Sequence, residues 1–108
     1  MNAEKRYTYR VIWSEEDGEH VGLCAEFPGL SHLATSQVKA LAGIVELVAD
    51  VLKDMVKSKE PVPEPLSTRK YKGAIAVRVP PEQHRELAME AAEQGVSLNR
   101  LISRKLAR

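Results

Sequence analysis

Two features in the last third of the chain have residue types and spacings suited to binding a polyanion. In Lys72–Pro80 apolar and other residues alternate, as in a strand whose two faces differ. This alternation places Ala74, Ala76 and Arg78 on one face and Ile75, Val77 and Val79 on the other. The second feature is Ser97, which has N-cap chemistry and precedes an apolar helical pattern. Free backbone N–H groups at a helix start favour an anion.

Carboxylates and potential metal ligands in the first half suggest two alternatives, a nuclease or a metal site. A nuclease needs several carboxylates that converge on metal ions. Outside the acidic turn at 15–19, the candidates are Glu26, Glu46, Asp50 and Asp54. His20, Cys24 and His32 match no standard zinc spacing and offer only three ligands. We therefore predict no catalytic residue, no metal site and no cofactor.

The composition indicates a folded protein of the reducing cytoplasm. The 108 residues are 44% hydrophobic, which is too apolar for a mostly disordered chain. No stretch approaches the length of a membrane span, and the N-terminus lacks the apolar run of a signal peptide. The single cysteine, Cys24, cannot form an intramolecular disulfide, and we expect it to be a small buried hydrophobe.

The charge differs between the two parts of the chain. Residues 1–66 hold 7 Lys/Arg against 11 Asp/Glu, a net of −4, whereas residues 67–108 hold 9 against 4, a net of +5. This asymmetry suggests a basic partner for the first part and an anionic partner for the second.

The elements of the first half predict a small α+β layer. Tyr7–Ser14 and His20–Phe27 flank the turn signal Asp17-Gly18, which predicts a β-hairpin. Leu30–Ala34 can form a short third strand, and Thr35 or Ser36 can cap a helix over about 37–56. We expect Tyr9 and Trp13 to pack in the core. We expect the helix face on the sheet to consist of Val38, Leu41, Ala42, Val45, Val48, Ala49, Leu52 and Val56.

A proline-rich segment separates this part from the next. Pro61, Pro63 and Pro65 exclude a helix and favour an extended connection. We therefore predict a domain at 1–60, a linker at 61–71 and a second domain at 72–108. In the second domain Pro81 begins a helix that Gly95 ends, and Ser97 caps another helix.

One strand and two helices are too few to bury a core alone. The strand also lacks a partner for its backbone within the domain. Pairing with the same strand of a second chain satisfies both needs, and the resulting two-stranded ribbon fits the major groove of DNA. The dimer core would then contain Ile75, Val77, Val79, Leu87, Leu101 and Ile102, with His84 packed against it as a neutral side chain.

The second domain resembles the ribbon-helix-helix family of dimeric repressors, through Ala76-Val-Arg-Val-Pro80, His84, Leu87 and Gly95-Val-Ser-Leu-Asn-Arg-Leu-Ile102. The resemblance implies base contacts by Ala74, Ala76 and Arg78. It also implies a phosphate contact at the N–H groups of Ser97, Leu98 and Asn99, to which Lys70 and Lys72 would add. The two alanines depart from the polar residues usual at these places, which leaves Arg78 as the base-reading hydrogen-bond donor. A dimerisation element without DNA binding remains an alternative.

The hairpin, Phe27-Pro-Gly29 and the helix opened by Thr35 or Ser36 resemble the N-terminal domain of the HicB family, a degenerate ribonuclease-H-like fold. The resemblance implies an antitoxin with no enzymatic activity that binds a small, basic, RNA-cleaving HicA toxin. It also implies that the dimeric tail binds operator DNA and represses the toxin-antitoxin operon. A stand-alone ribbon-helix-helix regulator is the alternative, and the sequence leaves open whether two dimers pair into a tetramer.

Overall fold

The computed structural model describes residues 3–107, so the outer bounds of the two predicted domains, residues 1 and 108, lie outside the described residues. The chain divides into two compact units between Tyr71 and Lys72. The fold class is α+β, as predicted. The first unit contains a 3-10 helix (Ala3–Arg6), β1 (Tyr9–Ser14), β2 (Glu19–Cys24), β3 (Ser31–Ala34) and α1 (Gln37–Lys57), and the second contains α2 (Pro81–Gln94) and α3 (Leu98–Leu106).

The three strands form one antiparallel sheet in the order β1-β2-β3. The β1–β2 turn closes with a 2.9 Å hydrogen bond from the Gly18 N–H to the Ser14 carbonyl. In the register that follows, Val11 pairs with Gly22, and Gly22 pairs with His32. The predicted hairpin and third strand are therefore confirmed.

Helix α1 begins where the side chain of Ser36 accepts a hydrogen bond from the Lys39 N–H. Its buried residues recur at every fourth position and are Ala40, Ile44, Val48 and Leu52. The predicted packing face is wrong for half of its eight members, because Val38, Leu41, Ala42 and Val56 are exposed. The helix carries apolar residues nearly all round, so periodicity alone does not select the row that meets the sheet.

Two glycines allow α1 to lie directly on the sheet. A Cβ atom at Gly22 would collide with the backbone carbonyl of Ala40 and would lie 2.8 Å from Cγ2 of Ile44. A Cβ atom at Gly43 would collide with the imidazole ring of His32. The helix and the sheet therefore approach more closely here than larger side chains would permit.

The core of the first unit lies between α1 and the sheet. Its buried members are Tyr7, Cys24, Ile44, Val48 and Leu52, with Tyr9, Phe27, Leu30 and Leu47 packed against them. Cys24 is buried, as predicted, and burial raises the pKa of its thiol. The expectation of core packing is wrong for Trp13, which is 52% exposed. Its indole N–H donates to Glu15 and its ring meets His20 edge-on, at a centroid distance of 5.1 Å.

The proline-rich segment is packed on the first unit. The Tyr7 hydroxyl donates to the Pro63 carbonyl at 2.6 Å, and the Leu66 N–H donates to the Glu26 carboxylate at 2.9 Å. The Ser67 hydroxyl donates to the Arg6 carbonyl. These hydrogen bonds hold residues 61–71 against the first unit, so the segment is not a free spacer. We call it the strap.

In the second unit α2 begins at Pro81 and ends at Gln94, and the C-cap residue Gly95 adopts the left-handed conformation with φ 68°. The Val96 N–H donates to the Ala91 carbonyl and completes the helix end. Residues 74–80 are neither helix nor strand in the single chain. The predicted strand is therefore absent from the isolated chain, because no other segment of the described unit pairs with its backbone. None of the helices in residues 3–107 combines the length and apolar character needed to cross a bilayer.

Candidate functional site

The second unit buries very little of its apolar surface within one chain. Among its described residues only Ala91 and Leu101 are buried. Ile75 is 81% exposed and Val77 is 73% exposed. Two helices and an unpaired segment thus leave an apolar surface uncovered, which is unusual for a self-sufficient fold.

The predicted dimer-core residues differ in how far the single chain covers them. Leu101 is buried, and Leu87 and Ile102 are half-buried, whereas Ile75, Val77 and Val79 are exposed. His84 is exposed as well, so its expected packing is not achieved within one chain. Leu106, which is 70% exposed, is a further candidate, since it follows Ile102 by four residues and shares its helix face.

An open groove brings the start of the 74–80 segment beside α3. It places Ala74 near Asn99, so one predicted base contact and one predicted phosphate contact share a site. The groove wall is apolar where Ile75 faces α3. The complete lining is Gly73, Ala74, Ile75, Asn99, Ile102, Ser103 and Leu106.

The start of α3 leaves two backbone N–H groups outside the hydrogen bonds of its cap. The side chain of Ser97 accepts a 3.0 Å hydrogen bond from the Arg100 N–H, and the Ser97 carbonyl accepts from Leu101. The first N–H groups of a helix have no partner within the helix, and this cap satisfies neither Leu98 nor Asn99. Their N–H groups and the helix dipole can therefore meet an anion.

The remaining predicted contact residues are exposed. Ala76, Arg78 and Lys72 lie on the surface of the second unit, and Lys70 lies on the surface of the first. The sequence interpretation missed Arg100, whose exposed side chain adds a positive charge in the same helical turn as the N–H groups of Leu98 and Asn99. Lys105 is less available because it forms a 3.0 Å ion pair with Glu90.

Comparison with known proteins gives one match, to the model of the HicB family, at residues 58–106. Residues 58–106 are therefore similar to the HicB family. The match runs from the end of α1 through the proline-rich strap and the second unit, and it leaves residues 1–57 outside. No curated protein and no solved structure matches this chain. The HicB family is a family of antitoxins, so this similarity indicates a role related to toxin-antitoxin systems.

The carboxylates considered for a nuclease have other surroundings in the structure. The carboxylate of Glu26 accepts hydrogen bonds from the Thr8 and Leu66 N–H groups. Burial would raise the pKa of Glu26, but these donors outweigh it and hold the pKa below its ordinary value. Glu46, Asp50 and Asp54 are exposed along α1. Within residues 3–107 no three His, Cys, Asp or Glu side chains come close enough to share a metal ion.

Proposed function

We propose that this protein is an antitoxin of the HicB family whose first unit binds a small basic toxin and whose second unit dimerises and represses the operon. It acts by binding and has no catalytic activity. The function has two separable parts, and each rests on a different unit of the chain.

One observation carries the dimer proposal. Residues 74–79 have no backbone hydrogen bond in their own unit, and the apolar side chains Ile75 and Val77 are largely exposed. A second copy of the same segment would supply both the missing hydrogen bonds and the missing apolar contacts. In the paired ribbon the alternation directs Val77 toward the helices and Ala76 and Arg78 away from them.

The outward face of this ribbon is the proposed DNA-reading surface. Arg78 would hydrogen-bond base edges, and Ala74 and Ala76 would contact thymine methyl groups. The free N–H groups of Leu98 and Asn99 would hold a phosphate and fix the register of the protein on the duplex. The net charge of +5 over residues 67–108 favours this polyanionic partner.

The toxin-binding part is supported by charge and by the family match. Residues 1–66 carry a net charge of −4, which favours a basic protein as the partner. The match of residues 58–106 to the HicB family suggests that this partner is a toxin. Co-expression with the product of the neighbouring reading frame tests this part, since we expect rescue of growth and co-purification of the two proteins. If that product is harmless or does not co-purify, the stand-alone regulator is the better interpretation.

A pair of substitutions one residue apart tests the dimer. Val77→Asp would bury a carboxylate between ribbon and helices, so we expect light scattering to report a monomer. Ala76→Asp places the same charge on the outward face, and we expect this control to remain a dimer. A dimer in both variants would contradict the paired-strand proposal.

A further inference from the structure

The sheet of the first unit has one covered and one uncovered face. Gly22 lies against Ile44 of α1, and its cross-strand neighbours Val11 and His32 share that covered face. Successive residues of a strand point to opposite sides. The other face, which we call the outer sheet face, therefore carries Arg10, Ile12, Glu19, Val21, Leu23, Ser31 and Leu33.

A row of apolar side chains crosses the outer sheet face. Ile12 pairs with Val21, and Val21 pairs with Leu33, so the row extends over all three strands. Ile12 is 42% exposed and Leu33 is 46% exposed. Solvated faces of antiparallel sheets are usually polar, and a contiguous exposed apolar patch marks an interaction site.

No helix of the described first unit covers this row. Helix α1 packs on the opposite face, and the 3-10 helix at Ala3–Arg6 packs on α1 and contacts Tyr9 of the covered face. The row is thus available to a partner in the first unit as the structure describes it.

The charges beside the row favour a basic partner. Glu19 lies on the outer sheet face two residues before Val21, and Glu15, Glu16 and Asp17 occupy the adjoining turn. Arg10 is the single basic residue on this face. A second copy would bring two acidic turns into the same interface, which like-charge repulsion disfavours. A basic protein would be attracted by the same turn.

We propose that the outer sheet face is the docking surface for the basic toxin partner, with Ile12, Val21 and Leu33 as its apolar centre. This inference rests on the proposed antitoxin function and adds the surface that performs it. Interfaces generally combine an apolar centre with a polar rim, and the row and the acidic turn provide these two parts.

The test uses the full chain and, as the probe, the basic protein encoded by the neighbouring reading frame. Leu33→Asp should weaken binding of that protein at least about tenfold in calorimetry, a change of about 1.4 kcal/mol. Val38→Asp is the matched control, because Val38 is apolar and 78% exposed but lies on α1. We expect its affinity to equal that of the parent.

Ile12→Thr is a second variant for the case that Leu33→Asp fails to fold, because threonine also favours strands. An unchanged thermal unfolding temperature would show that the variant is folded. It should also weaken binding. Three outcomes would overturn the inference. If the parent chain does not bind the probe, the proposed function fails and this surface fails with it. If the parent binds and the folded variants bind equally well, the function stands but this surface is wrong. If the variants only reduce the oligomeric mass, a second copy covers the face.

Discussion

The Glu26 carboxylate accepts a 2.9 Å hydrogen bond from the backbone N–H of Leu66, forty residues further along the chain. The same carboxylate accepts from the Thr8 N–H at 2.9 Å and from the Thr8 hydroxyl at 3.0 Å. One side chain therefore ties the beginning of the first unit to the strap that leads out of it. The pKa of Glu26 is lowered because these donors favour the ionised form more than burial disfavours it.

The lowered pKa predicts that acid weakens attachment of the strap. A carboxyl group whose pKa is lower in the folded chain contributes stability above its unfolded value, here 4.5. That contribution is lost as the pH falls through the lower folded pKa. Glu26→Gln should reduce the free energy of unfolding near about pH 7 and make it less dependent on pH in the acid range. Denaturant titrations of the parent and the variant check this, and parallel pH curves would contradict it.

The strap also predicts where the first unit can be cut. A fragment ending at residue 60 loses the Pro63 carbonyl that Tyr7 contacts and the Leu66 N–H that Glu26 contacts. Unpaired polar groups cost about 1 to 3 kcal/mol each where they are buried. We expect a fragment ending at residue 71 to melt at a higher temperature and to neutralise the toxin better than one ending at residue 60. Equal melting and equal rescue of growth would show that the strap is dispensable.

Because α1 lies so close to the sheet, adding one methyl group at Gly22 should lower the free energy of unfolding. In Gly22→Ala the new Cβ would meet the Ala40 carbonyl, which is backbone and cannot rotate away. Overpacking of this kind costs about 1 to 3 kcal/mol. Gly29→Ala is the control, since no atom lies within 4 Å of a Cβ at that position. Chemical denaturation should give a lower free energy of unfolding for Gly22→Ala than for Gly29→Ala. Equal values would mean that the helix shifts to accommodate the methyl group.

Local signals predicted the elements well because their determinants are local. Asp17-Gly18 indicated the hairpin, Ser36 and Ser97 proved to be helix caps, and Gly95 ended α2 in the left-handed conformation. Each of these depends on hydrogen bonds or dihedral angles within a few residues. Short-range chemistry was therefore enough to place them.

Features that depend on long-range contacts were harder to predict. The row of α1 that meets the sheet is set by the positions of Gly22 and Gly43, which helical periodicity does not reveal. Trp13 is half-exposed because the core lies nearer to Tyr7 and Cys24. The proline pattern indicated an extended segment, but not that Tyr7 and Glu26 would hold it. The roles of Arg78 and of the α3 N–H groups stay predictions, since they depend on molecules beyond a single chain.

The start of α3 predicts that one backbone N–H can be removed without unfolding the helix. Leu98 is the first helical residue, where proline is well tolerated. Ser97 already has the extended conformation, with φ −70° and ψ 155°, that a residue before proline prefers. Leu98→Pro should therefore keep α3 but weaken DNA binding by about 1 to 2 kcal/mol per chain.

Leu98→Ala is the matched control for this proline, because it also shortens the side chain but keeps the N–H group. The loss caused by proline should be similar for operator and unrelated DNA, since a phosphate contact carries no sequence information. Fluorescence anisotropy with both kinds of duplex measures it. Equal affinities for the proline and alanine variants would show that the N–H group of residue 98 does not contact a phosphate.

The exposed guanidinium of Arg78 predicts a loss of sequence-specific binding with no loss of dimerisation. Arg78 and Val77 occupy opposite faces of the alternating segment, so Arg78→Ala should leave a folded dimer. Each bidentate base contact is worth about 1 to 3 kcal/mol, so losing two per dimer should weaken operator binding by roughly 2 to 6 kcal/mol. Toxin neutralisation should be unchanged, because Arg78 lies outside the unit proposed to bind the toxin.

Gel shifts on the promoter region and light scattering on the same sample separate the effects of Arg78→Ala. Arg85→Ala serves as a control of equal charge change, since Arg85 is exposed on α2 and is not among the proposed DNA contacts. We expect the Arg85 variant to keep its preference for operator over unrelated DNA and the Arg78 variant to lose most of it. If Arg78→Ala binds its operator as tightly as the parent, the outward face of the ribbon is not the reading surface. The ribbon-helix-helix interpretation of residues 72–108 would then have to be withdrawn.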